Sequence, residues 1–223
     1  MGISTDYYQL YRKLTDEQRL IRESTFQWVK SVIKPEIEHS FKKGRVLDDI
    51  VEKLAEIGGF GLIIPEVYGG MGADYIAYGL MMQELERGDT SIRVLSSIQT
   101  SLVMYAIHRF GSEEQKQYYL PKLASGAYLG AFGLTEPNYG SNAAAMHSHF
   151  QTTKDKIVLN GSKLWIGNAE KCDVAIVWAK NASNAIQGLI VDTKKTTNFS
   201  TSTIHDKWSF RASNTGELIF SEA

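Results

Sequence analysis

The sequence has 223 residues, of which 43% are hydrophobic and 22% are charged, a composition typical of a globular chain with one large or two modest domains. Its formal net charge of −1 provides no overall attraction for nucleic acid or for an anionic membrane. Neither a secretory signal pattern nor an apolar run of roughly 20 residues is present, so we expect a cytoplasmic protein that binds neither nucleic acid nor membranes.

The first half of the chain has the apolar period of helices. Five are predicted: one from the capping box of Thr15 and Gln18 to Pro35, one within residues 46–57 that stops at Gly58 and Gly59, one over about 75–86, one capped by Asp89 or Thr90 that ends near Phe110, and one from the capping box of Ser112 and Gln115 that finishes before Gly126. Short loops between five helices predict an up-and-down bundle.

After Gly126 the apolar period changes from about 3.6 residues to 2. This change predicts a helical domain over residues 1–126 and a β domain over residues 127–223. The predicted strands are 128–134, 146–153, 157–166, 173–179, 186–192 and 217–220. Short strands joined by polar turns predict a small antiparallel barrel or sandwich, so the fold class is α+β.

Two short runs in the β domain form a candidate ligand site. Residues 130–142 begin as a strand and then turn, and the turn leaves backbone N–H groups and the hydroxyls of Thr135 and Ser141 free to face a ligand. In residues 163–169, Trp165 stands close to Gly167, which lets another group approach the backbone. A flat heterocycle with hydrogen-bonding edges suits this set. The structural alternatives are a turn that satisfies only its own backbone and a tryptophan in the barrel core.

In their order and spacing, these two runs resemble the flavin-binding signatures of the acyl-CoA dehydrogenases. Upstream, residues 93–104 and 110–124 resemble the glutaryl-CoA dehydrogenase branch of that family. The resemblance covers nearly the whole chain and implies a helical N-terminal domain followed by a middle β-barrel. The sequence ends where the family's C-terminal helical domain would begin.

The resemblance implies FAD as the cofactor and an acyl-CoA as the substrate. The flavin contacts that it implies are Phe132, Gly133, Leu134, Thr135, Ser141, Trp165, Ile166 and Gly167, and the implied substrate contacts are Glu86, Arg93, Val94 and Ser141. The chain departs from the family at Tyr139, where a small residue is usual, and at Asn142, where aspartate is usual. It also carries Gly167 where most relatives have a threonine whose hydroxyl sits by the flavin N5.

Arg93 falls in the first turn of its predicted helix, where the helix dipole disfavours a cation by about 0.3–1 kcal/mol. An anionic partner is therefore expected. In the glutaryl-CoA branch the matching arginine binds the distal carboxylate of the acyl chain, and the glutamate matching Glu86 orients it. The alternative is a surface ion pair with Glu84, Glu86 or Asp89. For His147 and His149, which alternate along a strand, no third metal ligand is apparent and an exposed strand face is expected.

The family's reaction is α,β-dehydrogenation of an acyl-CoA thioester, with decarboxylation in the glutaryl-CoA branch. The family's catalytic base lies in the C-terminal domain and no residue here matches it, so we expect this chain alone to bind FAD weakly or not at all and to lack turnover. Complete relatives are tetramers that pass electrons to an electron-transfer flavoprotein or to oxygen. The alternatives are an oxidase-like flavoenzyme, since some oxidase-like relatives carry glycine at the Gly167 position, an inactive fragment that binds flavin or acyl-CoA, and a truncated remnant without function.

Overall fold

The computed structural model describes residues 6–154 and 156–223, so residues 1–5 of the predicted helical domain, including the start examined for a signal pattern, lie outside the described residues. Helices precede a curled mixed sheet, as the α+β prediction requires. The helices are α1 Asp16–Trp28, α2 Ile37–Lys43, α3 Ile50–Glu56, α4 Tyr75–Gly88, α5 Thr90–Ser97, α6 Tyr105–Phe110 and α7 Glu113–Ala124. Within the described ranges, no helix is both long and apolar enough to cross a bilayer.

Local signals placed the helix starts correctly. Both predicted capping boxes are formed, at the start of α1 by Thr15 with Gln18 and at the start of α7 by Ser112 with Gln115. Of the two candidate caps for α5, Asp89 is the one whose side chain accepts a hydrogen bond from a backbone N–H. Each cap satisfies backbone donors that would otherwise have no partner at the helix end.

The helical region differs from the prediction in two respects. Residues after Pro35 form a further short helix, α2, which ends at Gly44 with a positive φ of 68°. The predicted fourth helix is continuous but changes its pitch, because the π-helical turn Ile98–Met104 lies between α5 and α6. A second π-helical turn, Val29–Ile33, extends α1. Side-chain periodicity does not distinguish these turns from ordinary helix.

The strands are β1 Gly130–Gly133, β2 His149–Thr152, β3 Ile157–Gly167, β4 Val174–Lys180, β5 Ile186–Asp192, β6 Phe199–Thr203 and β7 Thr215–Phe220. Their order is β1-β4-β2-β3-β7-β6, and β5 pairs with β4. The strand β6 was not predicted. Its sequence, Phe-Ser-Thr-Ser-Thr, has hardly any apolar residues because it is a half-exposed edge strand.

The sheet is mixed rather than wholly antiparallel, which corrects the prediction of an antiparallel barrel. Strands β1 and β4 are parallel, with Gly130 opposite Val174, and β2 meets β4 in parallel at His149 and Lys180. The reason is the connection: the segment between β1 and β4 is long enough to hold the β2–β3 hairpin and return β4 in the direction of β1. The remaining strand pairs are antiparallel.

The helical region and the sheet share a core. One buried cluster contains Val103, Met104 and Ile107 from the helical region together with Val174 and Ile176 from β4. Behind the sheet, a second cluster is formed by residues of β1 to β5 and β7 and includes Cys172, as expected of a small core residue. The face of the sheet that carries β1 is therefore fixed against the π-helical turn, next to the candidate site.

Candidate functional site

Trp165 lies on a β-bulge near the end of β3. The pairing of β3 with β7 shifts between Leu164 and Ile166, and Trp165 adopts a positive φ of 63°. That conformation is unusual for a bulky side chain and is most common at functional sites. The bulge takes Trp165 out of the regular alternation and leaves its side chain 61% exposed, whereas Ile166 is buried in the core behind the sheet. Trp165 is thus not a core aromatic.

Trp165 borders a groove of about 640 Å³, called here the Trp165 groove. One wall comes from helix α5 and the π-helical turn, and another from the loop between β6 and β7. Its lining residues are Val94, Ile98, Trp165, Gly167, Ile204, His205, Asp206, Lys207, Trp208, Ser209, Phe210, Ser213 and Thr215. Three predicted site residues, Val94, Trp165 and Gly167, are therefore brought together across the two halves of the chain.

The predicted turn lies beside Trp165 but does not line the groove. Glu136 and Tyr139 close it with two backbone hydrogen bonds, and the Thr135 carbonyl accepts a hydrogen bond of 2.8 Å from the Leu164 N–H. Ser141 is exposed and Thr135 is half-buried. Phe132 packs edge-on against Trp178 at 6.2 Å between ring centroids, so its ring belongs to the core and only its backbone is available to a ligand. The two predicted runs are thus adjacent in space.

A buried ion pair connects the two runs. The Lys163 Nζ lies 2.9 Å from Glu136 Oε1 and donates to the Leu134 carbonyl at 3.1 Å. The same carboxylate accepts hydrogen bonds from the N–H groups of His147, at 2.7 Å, and Ser148, at 2.8 Å. The absent side chain of Gly133 leaves room for the Lys163 stem, because a Cβ there would lie 3.2 Å from Lys163 Cγ.

The hydrogen bonds keep Glu136 ionised. Burial acts to raise the pKa of Glu136, but hydrogen bonds from Ser148, the His147 N–H and Lys163 outweigh it and lower the pKa from an ordinary 4.5 to about 2. Burial lowers the pKa of Lys163, and Glu136 opposes that change. A carboxylate this acidic is a poor general base at neutral pH.

Replacing Glu136 with glutamine is expected to reduce the sensitivity of the fold to acid. Because the folded-state pKa of Glu136 is depressed, its contribution to stability is present above pH 4.5 and is lost as the pH falls toward 2. The shift corresponds to about 3 kcal/mol. Urea unfolding of both proteins across this pH range should show the wild type losing about that much more than the variant. Parallel pH profiles would contradict the assignment.

Arg93 has an anionic partner, and that partner is Glu86. The Arg93 Nε lies 2.7 Å from Glu86 Oε2, and Glu86 also accepts a hydrogen bond of 2.6 Å from the Thr90 hydroxyl. This is one of the two arrangements expected from the sequence. Glu84 and Asp89 serve other roles, since Glu84 is buried beside Arg22 and Arg87 while Asp89 caps α5. Val94, the neighbour of Arg93, lines the Trp165 groove.

Gly167 is matched in size by Ile98. A Cβ built on Gly167 would overlap the terminal Cδ1 atom of Ile98, whose side chain also lines the groove. The glycine, which departs from the family pattern, is therefore complementary to the isoleucine on the facing π-helical turn. The sequence prediction missed Ile98, because residues 69 positions apart carry no local signal of contact.

Replacing Gly167 with threonine is expected to destabilise the fold by about 1 kcal/mol through overpacking against Ile98. Ile98→Val removes the overlapping atom, so the double variant should be more stable than the sum of the two single changes predicts. Urea unfolding of the four proteins of this double-mutant cycle measures the coupling. Additive changes would show that the two side chains do not compete for the same space.

The sequence prediction missed two further groups at this site. It noted the segment 208–216 without assigning a role, yet the loop before β7 forms one side of the groove and leaves Trp208 98% exposed. It also noted Glu136 only as a nearby carboxylate and gave Lys163 no role. A lysine among alternating apolar residues of a central strand is a signal of burial with an acidic partner that could have been used.

Comparison with protein families and curated proteins agrees with this arrangement. Residues 15–127 match the model described as acyl-CoA dehydrogenase, N-terminal domain, and residues 131–223 match acyl-CoA dehydrogenase, middle domain. The chain is 38% identical over 215 residues to the probable acyl-CoA dehydrogenase YngJ of Bacillus subtilis (strain 168), covering 94% of this chain and 56% of that protein. It is 36% identical over 218 residues to the mitochondrial isovaleryl-CoA dehydrogenase of Pongo abelii, covering 94% and 51% respectively.

Solved structures agree as well. The glutaryl-CoA dehydrogenase from Mycobacterium smegmatis in complex with FADH2 superposes with a TM-score of 0.93 at 38% identity, covering 97% of this chain and 55% of that one. The chain spans about half the length of the curated relatives it matches. Since the two family models together account for its helical region and its sheet in the same order, this chain belongs to the acyl-CoA dehydrogenase family.

Proposed function

We propose that this chain is the part of an acyl-CoA dehydrogenase that binds the FAD isoalloxazine ring and the acyl end of an acyl-CoA. The observation that carries the proposal is the exposed indole of Trp165 on a β-bulge at the edge of the 640 Å³ groove. An aromatic plane of this kind stacks on a flat ring. The solved relative with FADH2, which has the same fold, supports the assignment.

The residues present fit a flavin. Trp165 supplies a flat wall, and Gly167 lets a ligand approach the backbone of β3 closely. The hydroxyls of Thr135 and Ser141 and the backbone of residues 132–141 lie on the segment bonded to β3 at Leu164, where they can reach the edge of a ring beside Trp165. When bound, FAD supplies the acceptor for a hydride removed from the β-carbon of the acyl chain.

In the proposed reaction this chain binds and orients the reactants, and the base that removes the α-proton belongs to another part of the whole protein. Glu136 is unsuited to that task, because its carboxylate is held by Lys163 and two backbone N–H groups and its pKa is about 2. The walls from Val94 and Ile98 provide an apolar surface for an acyl chain. They also exclude water from one side of the groove.

For the substrate we propose a dicarboxylyl thioester of the glutaryl-CoA type. Arg93 lies one residue from the groove-lining Val94 and keeps part of its guanidinium accessible beside Glu86. An arginine fork in this position can bind a second carboxylate bidentately. Decarboxylation of the product, tetramer formation and electron transfer to a separate flavoprotein belong to the same proposal for the whole protein.

The second candidate is an oxidase-like flavoenzyme. It is favoured by Gly167, which offers no hydroxyl in the position where most family members carry threonine. Without that donor, we expect a reduced flavin in this site to be more accessible to oxygen. The rate of reoxidation of the photoreduced, FAD-loaded protein in air separates the two candidates, because an oxidase reoxidises rapidly and Gly167→Thr should then slow the reaction.

The proposal is tested by FAD binding to the purified chain. We expect the flavin fluorescence to be quenched on binding, and Trp165→Ala to weaken binding about tenfold through loss of ring stacking. Trp28→Phe in helix α1, remote from the groove, is the control and should bind like the wild type. Glutaryl-CoA, compared with isovaleryl-CoA, should then perturb the visible flavin spectrum, and Arg93→Met should remove the preference. Absence of FAD binding by the wild-type chain would refute the proposal for this chain.

A further inference from the structure

The Glu136/Lys163 pair lies between the two runs that would hold the flavin. The Lys163 side chain is 0% exposed, and its ammonium group is surrounded by Glu136 Oε1, the Leu134 carbonyl and the sulfur of Met146 at 3.8 Å. No solvent reaches the charge. Because burying an ion pair costs about as much as the attraction returns, such a pair is weak evidence for stability. A different role is indicated.

The pair closes the base of the loop formed by residues 135–146, which carries Ser141 at its exposed side. On the entering side, Lys163 binds the carbonyl of Leu134. On the leaving side, both Glu136 oxygens accept backbone N–H groups, those of His147 and Ser148. One ammonium and one carboxylate thus bring the two ends of the loop together.

A second contact closes the same loop on its outer side. The Tyr139 hydroxyl lies 2.7 Å from His147 Nε2, and the two rings are 4.6 Å apart between centroids. Tyr139 is the residue that departs from the small side chain usual in the family. The loop is therefore held from the inside by the ion pair and from the outside by an aromatic contact.

The same pair also fixes the loop to the bulge. Lys163 stands two residues before Trp165 on β3, and the next residue, Leu164, donates its N–H to Thr135. Three successive positions, Leu134 to Glu136, are thus bonded to two successive positions on β3 immediately before the bulge. The distance between the loop and the indole is determined at this joint.

We propose that Glu136 and Lys163 are positioning residues that hold the 135–146 loop at a fixed distance from Trp165 and so define a slot for a planar ligand. The inference rests on the proposed function, because the ligand is taken to be the isoalloxazine ring of FAD. The pair itself does not touch the reacting atoms. It acts through Thr135, Ser141 and Trp165.

The test compares Lys163→Met, Lys163→Arg and Glu136→Gln with Glu84→Gln. Glu84 is the matched control, because it is a fully buried carboxylate in an ion pair, but in the helical region. Hydrogen–deuterium exchange of the full chain without ligand should be at least tenfold faster in residues 135–148 and 164–167 of Lys163→Met and Glu136→Gln. Glu84→Gln should leave those segments protected. Lys163→Arg should restore most of the protection.

A second readout uses the ligand. Lys163→Met should weaken FAD binding at least tenfold and reduce the quenching of flavin fluorescence, whereas Glu84→Gln should change neither, and Lys163→Arg should recover part of the affinity. If the wild type binds no FAD, the proposed function fails for this chain, and exchange at 135–148 still decides whether the pair positions the loop.

Unchanged exchange in residues 135–148 of Glu136→Gln would overturn the inference, as would equal effects of Glu136→Gln and Glu84→Gln on those residues. If Lys163→Met does not fold, Glu136→Gln and Lys163→Arg carry the comparison, because both retain the size of the original side chain closely enough to fill the same space.

Discussion

Replacing Arg22 with methionine is expected to lower the free energy of unfolding by about 3–5 kcal/mol, because it leaves a buried carboxylate with only half of its countercharge. Glu84 on α4 is 0% exposed and lies between two arginines. The Arg22 Nε is 3.0 Å from one carboxylate oxygen, and the Arg87 Nε is 3.3 Å from the other. Methionine keeps the length of the apolar stem, so the loss reports on the charge. Urea unfolding at neutral pH measures it.

The geometry of this cluster makes the expectation specific to charge. Among the described residues, neither Glu84 oxygen nor the Arg22 Nε has an aligned hydrogen-bond partner, although both distances are those of ion pairs. The stabilisation therefore comes from electrostatic attraction at low dielectric rather than from directed hydrogen bonds. Arg22 also stacks over the Tyr11 ring at 4.0 Å, and part of the loss will come from that contact.

Arg19→Met is the matched control on the same helix. Arg19 pairs with Asp16 at 3.0 Å, but both side chains are exposed, so the change should stay within about 0.5 kcal/mol. Equal losses in Arg19→Met and Arg22→Met would show that helix propensity, and not the burial of Glu84, explains the result.

Replacing Gln99 with leucine is expected to cost about 3 kcal/mol or more, because three buried backbone groups lose their partner together. The Gln99 amide nitrogen donates to the carbonyls of Leu123 at 2.9 Å and Tyr128 at 2.7 Å. Its amide oxygen accepts the Gly130 N–H at 2.7 Å. Each unsatisfied buried group costs about 1–3 kcal/mol. Urea unfolding followed by far-ultraviolet circular dichroism gives the total.

Gln99 also joins the two halves of the chain, since it lies in the π-helical turn and binds the end of α7 and the start of β1. We therefore expect Gln99→Leu to loosen β1, and with it the segment that leads to Thr135, and to weaken FAD binding. Gln117→Leu is the control, because its amide contacts only the exposed Glu113. A loss in Gln99→Leu no larger than in Gln117→Leu would mean that water replaces the three bonds.

Much of the fold was open to prediction from the sequence. The capping boxes at Thr15 and Ser112 involve residues three apart, and strand β5 was predicted with its exact bounds because it alternates between two polar turns. These features depend on neighbours in the chain, so the local pattern contains the whole interaction. The same holds for the two flavin-like runs, whose residue types and spacing identify the family without any coordinates.

The candidate site depends on contacts between distant residues, which no local pattern contains. The sequence determined which residues carry flavin-type chemistry, namely the 130–142 run and Trp165 with Gly167. Only the tertiary structure decided that β1 runs parallel to β4, that a bulge turns Trp165 out of its strand, and that Glu136 and Lys163, 27 residues apart, meet in the core. Strand register and the pairing of buried charges are set when the helical region and the sheet pack together, because each satisfies polar groups that the other leaves buried.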